Sequence, residues 1–172
     1  EMIFKKLHLG DMVFSKESLG DIARLVGSYY SRRGEGGGSS ANRHSLGTYV
    51  NLDVDEERVV EAMRSIALCH NVTPVVEGDS RVYQASSPDE VALVQFSESV
   101  GLILNDRSLT SMSLQAPTGE IEEYEILNVF PFTSQTKRMG IVVRSKTTQQ
   151  ITFYIKGADS VMSRMVRSSD WL

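Results

Sequence analysis

The sequence predicts an α+β (α/β) fold, an antiparallel β-sheet flanked by helices. Three observations predict it. Apolar residues recur at helical spacing over 54–69 and again over 88–100. After residue 101 the apolar period drops to two and holds through five short segments. Turns of a few residues separate some of these segments, and short connections join antiparallel neighbours.

The elements follow in chain order. Residues 2–9 (MIFKKLHL) read as a strand with imperfect alternation. Leu19, Ile22, Val26 and Tyr29 recur at three- and four-residue steps and predict a helix that Ser18 is placed to cap, although Gly20 and Gly27 weaken the pattern. Residues 31–48 are rich in Gly, Ser and Arg and nearly empty of apolar side chains, so they predict a mobile loop inside one domain. In the helix at 54–69, Val59, Val60, Met63, Ile66 and Ala67 form one stripe, and Asp53-x-x-Glu56 resembles a capping box. Residues 71–80, with Pro74 and Gly78, read as a connection, and Arg81–Gln84 as a short strand.

The helix from Pro88 to Val100 has Ser87 as N-cap, Pro88 at the first helical position, Glu90 completing an S-x-x-E box, and Gly101 as its stop. Leu102–Asn105, Thr110–Ala116, Glu123–Phe130, Arg138–Arg144 and Ile151–Ile155 read as strands, with turns at Pro117-Thr118-Gly119 and Lys146-Thr147-Thr148. A last helix starts near Ala158 and carries Val161, Met162 and Met165. No internal repeat is present.

Composition narrows the class of function. Hydrophobic residues make up 41% and charged residues 23%, ordinary values for a globular domain with its own core. A net charge of −4 argues against a nucleic-acid partner. The single cysteine, Cys69, has no internal partner and reads as a buried thiol in a reducing cytosol. No apolar run approaches the ~20 residues that span a bilayer, and no signal peptide is recognisable, so the chain itself is expected to be soluble. Its start at Glu1-Met2 and its end at Asp170-Trp171-Leu172 read as those of a piece of a longer protein.

The residues offer no self-contained catalytic centre. His8, His44 and His70 lack metal-ligand spacing, and His70 reads as a structural histidine at a helix end. There is no P-loop and no G-x-G-x-x-G, and Gly36-Gly37-Gly38 has no strand before it. No catalytic residue and no metal ligand is assigned.

Three segments suit a purine nucleotide. Phe130-Pro131-Phe132-Thr133-Ser134, leading to Lys137-Arg138-Met139, puts an aromatic ring, hydroxyls and cations in one loop. Phe130 and Phe132 could both be core residues closing a strand. Phe132, however, lies past the strand end, after a proline and among polar residues, where a ring can stack on a base. In Ile155-Lys156-Gly157-Ala158-Asp159 a strand ends in a lysine, and small residues open a helix; a ligand could approach the backbone there, or the lysine could be merely solvated. In Ser86-Ser87-Pro88-Asp89-Glu90, the capping role alone accounts for Glu90, and a contact with an adenine amino group would compete for the same oxygens.

Taken in order, S-P-D-E, F-x-S-x-x-K-R-M and K-G-A-D resemble the nucleotide-binding domain of type IV P-type ATPases, the phospholipid flippases. Glu1-Met2-Ile3-Phe4 is also similar to the residues after that family's phosphorylation motif. The resemblance covers nearly the whole chain apart from 31–48. Ala67-Leu68-Cys69-His70-Asn71-Val72-Thr73-Pro74 and Phe130-Pro131-Phe132 look most like the branch that works without an accessory subunit.

The resemblance implies a single nucleotide-binding domain over 1–172, a fragment of a larger membrane pump. It implies ATP as ligand, with Phe132 stacked on the adenine and Glu90 at the adenine edge. Lys156 would line the adenine pocket and reach toward the sugar or phosphates, Lys137 and Ser134 would lie near the ribose and phosphates, and Gly157 would give close backbone access. Mg²⁺ would come with a separate phosphorylation domain, which with a transmembrane domain makes up the parent's other parts. Phospholipid would be met only through the membrane segments, on the cytosolic face of an endosomal or Golgi membrane.

Two departures stand out: D-K-T-G-T is absent, and the family's domain continues past residue 172 with a strand and an ATP-contacting arginine. A cation- or polypeptide-transporting P-type ATPase, and a non-catalytic α/β interaction domain, are the alternative readings.

Overall fold

The computed structural model describes residues 4–34, 52–78, 80–85 and 87–166. The chain opens with a hairpin, β1 (Lys6–Leu9) and β2 (Met12–Ser15), closed by Gly10-Asp11 with Gly10 at φ +64°. Left-handed backbone favours glycine there. A 3-10 turn at Lys16–Ser18 leads straight into helix α1 (Leu19–Gly34), so Ser18 does not cap it.

Helix α1 runs four residues into the segment expected as a loop, which is a correction to its boundary. Arg33 is held there by the Glu122 carboxylate at 2.9 Å, and Arg32 pairs with the buried Glu56. The rest of the expected loop, 35–48, lies outside the described residues, as do residues 2 and 3 of the expected first strand.

Helix α2 (Leu52–Leu68) begins ahead of Asp53, which therefore does not hold the N-cap position expected for it, and Glu56 faces Arg32. The stretch expected as a connection at 71–80 is instead strand β3 (Thr73–Glu77), paired antiparallel with β4 (Ser80–Gln84). Pro74 is tolerated because β3 has a ladder partner on one side only.

Helix α3 (Pro88–Ser99) ends as expected at Gly101. The Leu102 amide reaches the Ser97 carbonyl and the Gly101 amide the Glu98 carbonyl, both at 3.0 Å, with Gly101 at φ +102°. This 6→1 and 5→2 pair satisfies carbonyls that the helix end leaves open.

The five remaining strands are β5 (Ile103–Arg107), β6 (Ser111–Gln115), β7 (Ile121–Phe130), β8 (Arg138–Ser145) and β9 (Ile151–Gly157). They form one antiparallel meander in the order β5-β6-β7-β8-β9. The final helix α4 is a single turn, Asp159–Met162.

The inner face of the meander carries Leu104, Met112, Leu114, Tyr124, Ile126, Ile141 and Val143, which pack against Ala67, Leu68 and Val94 of α2 and α3. A second cluster joins α1, α2 and α3 through Ile22, Val26, Tyr30, Val59, Val60, Met63 and Phe96. These two apolar masses fix α3 and the β7–β8 end of the sheet against each other, and the functional cleft opens at that seam.

Candidate functional site

The cleft has a volume of about 970 Å³, and its walls come from four separate parts of the chain. Helix α3 contributes Glu90 in its first turn, where a carboxylate also complements the helix dipole. The loop between β7 and β8 contributes Phe132, Ser134 and Lys137. The end of β9 contributes Lys156 and Gly157. The turn after α2 contributes Asn71. All six residues singled out in the sequence therefore line one cavity.

Glu90 does not complete a capping box, which corrects the local reading. The Ser87 side chain makes no capping hydrogen bond. One Glu90 oxygen accepts from the Lys156 ammonium at 2.9 Å and the other from the Asn71 amide at 3.2 Å. Lys156 is drawn inward because it shares the sheet's inner face with Tyr154 and Thr152, opposite Met139, Ile141 and Val143.

The ring of Phe132 is 61% exposed, and Phe130 is half exposed against the edge of Phe153 at 5.7 Å. Neither phenylalanine is core. The loop that carries Phe132 is braced from within. The Thr133 and Thr136 hydroxyls lie 2.8 Å apart, and the Lys137 amide donates to the Thr133 carbonyl at 2.8 Å. Lys137 takes the left-handed conformation at φ +49°, which lets its carbonyl receive the Ala158 amide at 3.0 Å.

Gly157 is required by this clasp. A Cβ on it would lie 2.7 Å from the Lys137 carbonyl oxygen and 3.0 Å from the Arg138 Cα. The close backbone approach at Gly157 is thus first an approach of the neighbouring strand. The single turn of α4 offers little of the helix-end dipole that the Lys-Gly-Ala-Asp segment suggested.

The family described as "P-type ATPase, cytoplasmic domain N" matches residues 58–168, which include all six of these residues. The chain belongs to the P-type ATPases. It is their cytoplasmic domain N, the nucleotide-binding domain.

Relatives of this P-type ATPase domain carry matching names. Over the whole of this chain it is 47% identical to a probable phospholipid-transporting ATPase IIB of Bos taurus, covering 17% of that protein. It is 46% identical to a probable phospholipid-transporting ATPase tat-5 of Caenorhabditis elegans and 43% identical to the phospholipid-transporting ATPase NEO1 of Saccharomyces cerevisiae, covering 15% of each. The chain thus spans about one sixth of the length of the curated relatives it matches.

In this P-type ATPase domain the sequence reading missed Asn71, Leu93 and Met139 as cleft residues. Met139 reads only as one beat of a core alternation, and it does sit buried beneath the cleft. Below it lies Cys69, buried as expected, whose thiol is pushed up to about 11 by burial. His70, also buried, keeps the structural role read for it: its Nε2 lies 2.8 Å from the Ala67 carbonyl, and its Nδ1 accepts the Val72 amide. Among the described residues no three His, Cys, Asp or Glu side chains gather as a metal site.

Proposed function

We propose that the cleft holds ATP by its adenine end and that the domain presents the phosphates to an aspartate in a separate phosphorylation domain. Phe132 stacks on the base, Glu90 accepts from the adenine amino group, and Lys137 and Ser134 face the ribose and phosphates. The observation that carries this reading is the exposed Phe132 ring at the mouth of a cleft floored by the Glu90–Lys156 pair. An uncovered aromatic face beside half-buried polar groups suits a flat heteroaromatic base.

The donor set fits a nucleotide. Lys137 makes no ion pair among the described residues, so its charge is free for a phosphate, while Lys156 is neutralised by Glu90. It fits Mg²⁺ poorly, since the acidic groups in the cleft are Asp89 and a Glu90 already paired with Lys156. The ion is therefore assigned to parts of the pump outside this chain, together with most phosphate contacts.

The names of the relatives support a phospholipid-transporting parent. The parent's phosphorylation and transmembrane domains would couple ATP use to lipid movement, without an accessory subunit, at an endosomal or Golgi membrane.

Titration calorimetry of the 172-residue chain tests the site. Phe132→Ala should weaken ATP binding roughly tenfold or more, the size of one lost base–aromatic stack. Its melting temperature should stay unchanged, because an exposed ring contributes little to the core. Equal affinity in a folded Phe132→Ala variant would put the base elsewhere.

A further inference from the structure

Beneath the Glu90–Lys156 pair lies an ordered polar turn that the nucleotide reading leaves unused. The Asn71 main-chain amide donates to Glu90 at 3.2 Å, and both residues line the cleft. The orientation of the Asn71 side chain is set by its other neighbour. Its Oδ1 accepts from the Arg107 guanidinium at 3.0 Å. A guanidinium only donates, so the oxygen must face it, and the Nδ2 amine is turned the other way.

Arg107 is in turn held by the His70 carbonyl and by Nδ1 of the buried His70 ring at 3.1 Å. Nδ2 of Asn71 makes no hydrogen bond among the described residues. Asn71 lines both the cleft and the neighbouring hollow that holds Arg107, so the cleft wall carries an acceptor, Glu90, and a residue whose Nδ2 donor is unpaired among the described residues.

An acceptor next to a donor is the complement of adenine. Adenine's 6-amino group donates, and the ring nitrogen beside it, N1 on one edge or N7 on the other, accepts. We propose that Asn71 is a specificity-determining residue of this site, donating from Nδ2 to the ring nitrogen next to the 6-amino group that Glu90 accepts. The proposal rests on the adenine-binding reading of the cleft. It adds a two-point reading of the base edge and explains how a weakly embracing site selects its base. Against guanine or hypoxanthine, the Glu90 carboxylate would meet the 6-oxygen and repel it.

The test pairs base analogues with variants. ATP, 1-deaza-ATP and 7-deaza-ATP are titrated into the wild-type chain, Asn71→Ala and Asn71→Asp. Asn71→Asp keeps an oxygen for Arg107 and so guards against a folding defect in Asn71→Ala. In the wild type, the analogue lacking the recognised nitrogen should bind roughly threefold to tenfold more weakly than ATP, the size of one partly solvated hydrogen bond.

In both variants that penalty should vanish, because the donor that sensed the nitrogen is gone. A penalty that persists unchanged in the variants, or no penalty for either analogue in the wild type, overturns the role of Asn71 while leaving adenine binding intact. Failure of the wild type to bind ATP at all overturns both.

Discussion

His70 is fully buried, yet it is one of three imidazoles in a chain with ample exposed surface. Its neutral form is needed twice. Nε2–H donates to the Ala67 carbonyl, and Nδ1 accepts from Val72 and from Arg107. Burial, and after it the charge of Arg107, push the imidazole down to about 3 from its ordinary value near 6.5. A depressed histidine stabilises the fold fully above the unfolded value. As pH falls from 6.5 toward 3 the unfolded chain gains a proton that the folded one refuses, and stability is lost.

The slope for one such group is about 1.4 kcal/mol per pH unit. Urea unfolding at pH 7, 6 and 5 should show this loss in the wild type. His70→Asn, which keeps an acceptor near the Nδ1 position but cannot titrate, should lose less over the same window. Parallel pH profiles for the two proteins would count against the assignment. The residue pattern allowed this role for His70, but it left Phe132 undecided between core and ligand face. That choice depends on which way a loop turns after Pro131, and the braced Thr133–Lys137 turn that decides it has no periodicity to read.

Between elements, the strongest tie joins α1 and α2 to strand β7. The Arg64 guanidinium of α2 donates to both Glu122 oxygens, at 3.0 and 3.1 Å, and to the Tyr30 hydroxyl of α1 at 3.0 Å. Arg33 and the Tyr124 hydroxyl complete the ring around Glu122. Burial pushes the Glu122 carboxyl up, but the Arg64 bond and charge outweigh it and hold it below the usual carboxylate range. Glu122→Ala leaves the buried Arg64 with only the exposed Glu61 as an anionic partner, so it should cost up to about 3–5 kcal/mol by urea unfolding at pH 7. Glu122→Gln, which retains an acceptor, should cost less.

Elements held by apolar period were legible in the sequence: the stripe of α2, α3 with its glycine stop, and the five strands of the meander. Elements held by such polar ties were not. Arg32 and Arg33 read as loop because their carboxylate partners lie 24 and 89 residues away along the chain. Strand β3 was hidden by Pro74, which reads as a breaker unless the strand is known to have one free edge.

At the scale of the whole molecule, the proposed site would hold only the adenine end of ATP. Contacts confined to the base imply weak binding by this chain alone, on the order of 0.1–1 mM. AMP should then bind within a few-fold of ATP. The difference between them should shrink as salt rises, since Lys137 acts through a screened charge. Calorimetry at low and high ionic strength checks this, and an ATP affinity far above that of AMP at high salt would place phosphate contacts inside this domain. Segment order let the sequence suggest a shared site, but convergence depends on packing α3 against the far end of the sheet, which no local pattern encodes.

The meander pairs each strand with the one made immediately before it. During synthesis every new strand therefore finds its template already in place, with no long loop to close. Glu90 precedes the meander in the chain, whereas Lys156 lies on its fifth strand. Until that strand is added, the Glu90 carboxylate lacks its ammonium partner and keeps only the Asn71 amide, and the loop bearing Phe132 lacks the Ala158 clasp on Lys137. On the proposed adenine site, the cleft is complete only once β9 pairs with β8, so a chain truncated before β9 should lose ATP affinity even with most of its core assembled.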